Sequence, residues 1–220
     1  MKTFPLLFLI ALTLGNISLA VSPPPDGGYA NQNTAEGEDA LFSLTTGADN
    51  SAVGFQALYL NTTGALNTAA GRSALTANTT GFGNTAIGSY ALTSNTTGAF
   101  NTAVGDVALH NNRAGMENIG IGTSAMYSNT VGYGNVAVGF QSLYNNTEGS
   151  MNTAVGPYAL QYGKGSLNTA LGGYALSSDL GNSNGSSNTA VGYSSLLFNT
   201  TGSTNVAIGN DAMLYNNTGI

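Results

Sequence analysis

A single histidine, His110, ten carboxylates, four basic residues and no cysteine are the ionisable stock of this 220-residue chain apart from its tyrosines. Hydrolytic acid–base chemistry needs two carboxyl groups held at one site, and these are scattered without pairing. His110 has neither a second histidine nor a thiol with which to share a metal, so it reads as a surface residue. Asp179 to Gly185 (DLGNSNG) offers one carboxylate and lacks the closing Glu of a calcium loop. Gly120 to Ala125 (GIGTSA) and Gly81 to Ala86 (GFGNTA) fit the G-x-G-x-x-A dinucleotide pattern. Neither sits between a strand and a helix, the setting that brings a helix N-terminus to a pyrophosphate. The sequence therefore predicts no enzyme, with no catalytic, cofactor-binding or metal-binding residue.

Amides, hydroxyls and phenols dominate instead. N-x-S/T acceptors at Asn61, Asn78, Asn95, Asn145, Asn184, Asn199 and Asn216 would carry a row of glycans in a host that glycosylates. Tyr59, Tyr90, Tyr127, Tyr144, Tyr158, Tyr162, Tyr174, Tyr193 and Tyr215 suit strands that half-bury a ring and leave the hydroxyl wet, and they also suit an adhesive row. Charged residues make up only 6% and the formal net charge is −6, which argues against nucleic acid or anionic lipid as a partner. Apolar residues reach 42%, enough to bury a core.

The elements that must position these groups come from a repeat. Asn recurs at 33, 50, 67, 84, 101, 118, 135, 152, 168, 188 and 205, marking eleven units spaced mostly by 17 residues. A fixed period of this size is the signature of a solenoid, each unit forming one coil stacked on the last. With that Asn as position 1, a unit reads N-T-A-V-G-x-x-A-L-x-x-N-T-T-G-x-x. Gly at position 5 (Gly37 through Gly209) and Gly at position 15 (Gly47 through Gly219) mark two bends that need positive φ or close approach.

Between the bends lie two segments, positions 2 to 4 and 7 to 11, too short for helices and without a 3.6-residue period, so each coil is expected to give two strands. Leu or Met at position 9, from Leu41 to Met213, predicts one apolar column down the stack. Position 4 is Val, Ile, Leu or Ala in ten units and position 2 admits Ile119, Val136 and Val206, so that strand face is expected inward. Position 3 is Ala in ten units and Gly120 in the other. Facing the other way, this monotonous small column predicts a second backbone packed on the sheet from outside. The Asn column predicts stacked turns whose amides bond up the rod.

The expected fold is all-β, a parallel β-roll or β-solenoid of about eleven coils over residues 33 to 220. Its first coil, with Glu36, Glu38 and Asp39, reads as a polar cap on an open edge, and its last is incomplete at Ile220. Residues 1 to 20 read as a secretory signal peptide, with Lys2, an apolar run from Phe4 to Leu14 too short to span a bilayer, and small residues at Ser18 and Ala20. Residues 21 to 32, with three prolines and Gly27-Gly28, read as a leader. No membrane span is expected in the mature chain, and export without cysteine leaves no disulfide framework.

The residues NTAVGxxAL followed by NTTG resemble the head repeats of trimeric autotransporter adhesins of the YadA type, and similar arrays in bacterial and phage fibre proteins. The resemblance implies a left-handed β-roll, a parallel homotrimer and a secreted or cell-surface structural and adhesive fibre. Its partners would be copies of itself, laterally or end to end, and a host-surface, matrix or glycan receptor. A weaker likeness runs to the ice-binding β-rolls of grasses, whose coils repeat N-x-V-x-G. Position 2 is Thr in seven of eleven units, but Ser51, Ile119, Val136 and Val206 interrupt the ladder such a face would need.

Overall fold

The computed structural model describes residues 30–178 and 185–219. The expected signal peptide, most of the leader and Asp179 to Asn184 lie outside the described residues. The fold is a parallel β-solenoid. One 11-stranded sheet runs in chain order from β1 (Thr34–Glu36) through β2 (Ser51–Val53) and onward to β11 (Val206–Ile208), all neighbours parallel. Register is strict: Thr34 pairs with Ser51, Ala35 with Ala52 and Glu36 with Val53, and the same positions align at every later step.

Each coil carries one strand, not two. Positions 7 to 11 are tight turn rather than strand, because non-glycine residues at positions 7 and 9 adopt positive φ. Leu58, Leu75, Leu92, Leu109 and Leu143 all lie between +50° and +52°. An L residue pays about 1–2 kcal/mol for that region. Full burial of the same leucine returns about 1.5–3 kcal/mol. Its amide is also held, as Leu58 N donates to Ala74 O of the next coil at 3.0 Å. The segment thus bonds coil to coil as a strand would while turning the chain back on itself.

That return makes the coil narrow, and narrowness decides which strand face is inside. Position 3 faces inward: Ala52, Ala86, Ala103, Ala137 and Ala154 are fully buried with Leu58, Leu92, Leu109, Leu143 and Leu160 in one continuous core. A Cβ added to Gly120 would stand 3.2 Å from Leu109 Cγ, so the covering group is the preceding coil's own leucine. The alanines need no outside backbone, contrary to the sequence expectation. Positions 2 and 4 correspondingly point outward, with Val53, Ile87, Ile119, Ile121 and Ile208 exposed. A methyl fits between opposed backbones of one coil and a β-branched side chain does not.

Both repeated glycines are explained by the same stacking. Position 5 has φ between 125° and 143° in all eleven coils, and a Cβ on Gly105 would meet the carbonyl C and O of Gly122 at 2.6 Å. Position 15 has no positive φ, but a Cβ on Gly64 would strike the Asn61 side chain and the next coil's carbonyl.

Position 1 forms the expected amide ladder, and it is wholly internal. Asn101 N and Nδ2 donate to Asn84 Oδ1 at 3.0 and 3.1 Å, and Asn118 repeats this on Asn101 at 3.1 Å for both bonds. A second ladder stands at position 12, where Asn78 Nδ2 donates to Asn61 Oδ1 and Asn95 Nδ2 to Asn78 Oδ1, both at 2.8 Å. In coils 2 to 7 the ladders meet on one acceptor each, as where Asn101 and Asn112 both donate to Gly115 O, at 2.8 and 3.1 Å. The second ladder stops where coil 8 has Gly163, leaving Asn146 Oδ1 without a hydrogen-bond partner.

The first coil is closed by residues assigned above to the leader. A 3-10 turn, Ala30–Gln32, supplies Ala30 O to Asn33 Nδ2 at 2.6 Å and Asn31 O to Asp49 N at 2.9 Å. It serves the groups that a preceding coil would otherwise serve.

Candidate functional site

The sequence's chemically suggestive residues stay apart in the fold. Among the described residues no three His, Asp or Glu side chains gather as a metal site. His110 is half-buried and stacks on Tyr127, with ring centroids 5.0 Å apart. The glycine patterns at Gly81 and Gly120 lead into or lie within strands, and no helix follows either. Among the described residues no helix is long and apolar enough to cross a membrane.

The acceptor asparagines are where the structure most changes the sequence reading. Asn61, Asn78, Asn95 and Asn199 are fully buried members of the position 12 column, and Asn145 stands outside it, half-exposed at position 11. The tyrosines form short stacks rather than one row. Tyr127 and Tyr144 stack at 5.2 Å, Phe42 and Tyr59 at 5.2 Å, and Tyr158 and Tyr174 at 4.8 Å. Arg72 lies 5.7 Å from the Phe55 ring centroid and 5.6 Å from that of Tyr90. Stacking along the rod turns ring faces toward each other and leaves edges and hydroxyls for a partner.

Two adjacent surface columns make the candidate interaction site. The first is the outward sheet face. At position 4 it runs Val53, Ala70, Ile87, Val104, Ile121, Val138 and onward to Ile208, and at position 2 it carries seven threonines in register. Strand spacing sets about 4.8 Å between successive side chains up the rod and about 6.6 Å between positions 2 and 4. This face is regular in register and almost uncharged, because Glu36 of the first coil is its only ionisable residue.

Sequence reasoning missed the second column, formed by the two residues before each inward Asn. Leu66, Phe82, Phe100, Met116, Tyr133, Met151 and Leu167 come from seven consecutive coils and are 42–60% exposed. Where position 16 carries the large residue, position 17 is Gly83, Glu117 or Gly134; where position 17 carries it, position 16 is Ala or Ser. Phe82 and Phe100 meet edge to face at 4.8 Å, and Phe100 lies over Gly83, where a Cβ would approach its ring to 2.8 Å. Alternation between two positions hides this stripe from any single-position alignment. A tally by unit, counting one large apolar residue before each Asn, would have found it.

No protein-family model, curated protein or solved structure matches the chain, so the likeness to YadA-type head repeats stands on the NTAVGxxAL and NTTG residues themselves.

Proposed function

We propose that the chain is a structural and adhesive rod that works outside the cell or at its surface and assembles with copies of itself. The observation that carries this reading is the outward apolar column at position 4. It continues for ten coils on a solenoid whose interior is already filled by Ala, Leu and Asn. Such a face costs the folded chain solubility and gives its core nothing, so its use is contact with a partner. The YadA-type resemblance favours three parallel rods, and the tyrosine edges would then serve a matrix, host-surface or glycan receptor. Light scattering coupled to gel filtration on the secreted protein tests assembly. A trimer is the expected result, and a monomer at every concentration refutes it.

Ice binding is the second reading, favoured by the outward threonines at position 2. Their hydroxyls lie in register on a rigid sheet, where ordered water could be held. Replacing Thr85, Thr102 and Thr153 together by Val tests it. Lost thermal hysteresis with unchanged fold supports ice binding, and absence of hysteresis in the unaltered protein ends it.

A further inference from the structure

We infer that the apolar stripe before the Asn ladder, from Leu66 to Leu167, is the seam along which two copies of this chain pack side by side. This rests on the self-assembling rod proposed above and names the surface that would hold it together.

Three observations select the occupant. The first is area. With roughly 200 Å² for a fully exposed large side chain, the observed exposures sum to roughly 700 Å². That exceeds the ~300–600 Å² of the largest patch on a typical monomer and approaches the ~800 Å² each partner gives to a stable interface. The flanking sheet face begins just beyond the inward Asn, with position 2 at most about 7–11 Å from the stripe along the chain and position 4 on the same face beyond it, and would complete the interface.

The second is period. The stripe presents one large side chain per coil over six steps of about 4.8 Å, or about 29 Å. Knobs at that spacing interdigitate with a surface of the same spacing, and another copy of this chain offers it. A globular partner would match one or two coils.

The third is charge. The rod is sparsely charged: coils 2 to 8 carry Arg72, Arg113 and Lys164 against Asp106, Glu117 and Glu148, so no net charge opposes the approach of two copies along this stretch. Across coils 2 to 8 positions 16 and 17 carry a single charge, Glu117, in the middle coil of the seven. Together with the uncharged position 2 and 4 columns of the same coils, the stripe makes a face that two copies can bring together with little charge to desolvate. Glu117 also marks the centre: a symmetry axis along the rod, or a two-fold across coil 5, brings it against its own counterpart.

Because the chain has no cysteine, one introduced thiol reports on one place. Glu117→Cys in the full chain, under mild oxidation, is expected to give a reductant-sensitive covalent dimer. Ser94→Cys, on the position 11 face, is expected to give none. A Phe100→Lys, Met151→Lys double variant, checked for unchanged far-ultraviolet circular dichroism, should weaken self-association at least about a hundredfold, since each lysine would be buried without a partner. If the unaltered chain assembles but Glu117→Cys does not cross-link and the lysine variant assembles equally well, the seam is wrong and the rod joins through another face. If the unaltered chain stays monomeric at every concentration, the assembly reading falls and the seam with it.

Discussion

Replacing Asn101 by Ala probes the feature on which the stack depends. The substitution removes four hydrogen bonds: Nδ2 to Asn84 Oδ1 at 3.1 Å, Nδ2 to Gly115 O at 2.8 Å, and the two bonds that Asn118 N and Nδ2 make to Asn101 Oδ1 at 3.1 Å. The losses are unequal. Asn84 Oδ1 keeps Asn101 N, Gly115 O keeps Asn112 Nδ2, and Asn118 Nδ2 keeps Gly132 O. Asn118 N keeps nothing, inside a stack where no water reaches Asn118. Three partly compensated bonds at about 0.5–1 kcal/mol each and one orphaned donor at about 1–3 kcal/mol give a loss of about 4 kcal/mol. The half-buried Asn111→Ala should stay within about 0.5 kcal/mol. Guanidinium midpoints followed by circular dichroism compare the two. Hydrogen exchange at the Asn118 amide localises the effect, which is needed because repeat stacks open coil by coil. A loss below about 1 kcal/mol with Asn118 still protected would refute the ladder as a source of stability.

Gly105→Ala should cost more than about 3 kcal/mol or prevent folding, because the new methyl meets backbone rather than a yielding side chain, and thermal melts would show it. Gly120→Ala should be neutral or stabilise by up to about 1 kcal/mol, because its nearest contacts are the flexible Leu109 side chain and the unfolded chain loses freedom; the same melts separate the two glycines. In a secretory host that attaches N-glycans, mass spectrometry of the folded protein should find Asn145 occupied and Asn61, Asn78 and Asn95 bare, since the latter amides lie inside the stack. Glycans on these three in folded protein would contradict the position 12 ladder.

Much of this architecture was legible because stacking copies each sequence column into a spatial column. The repeated Asn, the two glycines and the Leu or Met at position 9 return to the same environment in coil after coil of the stack, so their recurrence reveals coil number, register and internal amides. Period-2 alternation likewise put positions 2 and 4 on one face of the strand and position 3 on the other. It could not give the sign. Apolarity pointed Val and Ile inward by the usual reasoning about sheets, and the reverse holds because Leu109 and its counterparts already occupy the narrow interior. The second strand was misread for a related reason. Positions 7 to 11 have strand-like residues and strand-like bonds to the next coil, but positive φ at Val107 and Leu109 bends them into a turn.

The sequence by itself determined that the chain is an all-β solenoid of 17-residue coils with asparagine at its corners, because a repeat constrains every unit to one geometry. Only the tertiary structure decided which columns are inside. The width of the coil, set by left-handed backbone at positions 7 and 9, admits a methyl, a leucine and two amides. It thereby turns the β-branched residues, and the stripe from Leu66 to Leu167, out to solvent where a partner can reach them.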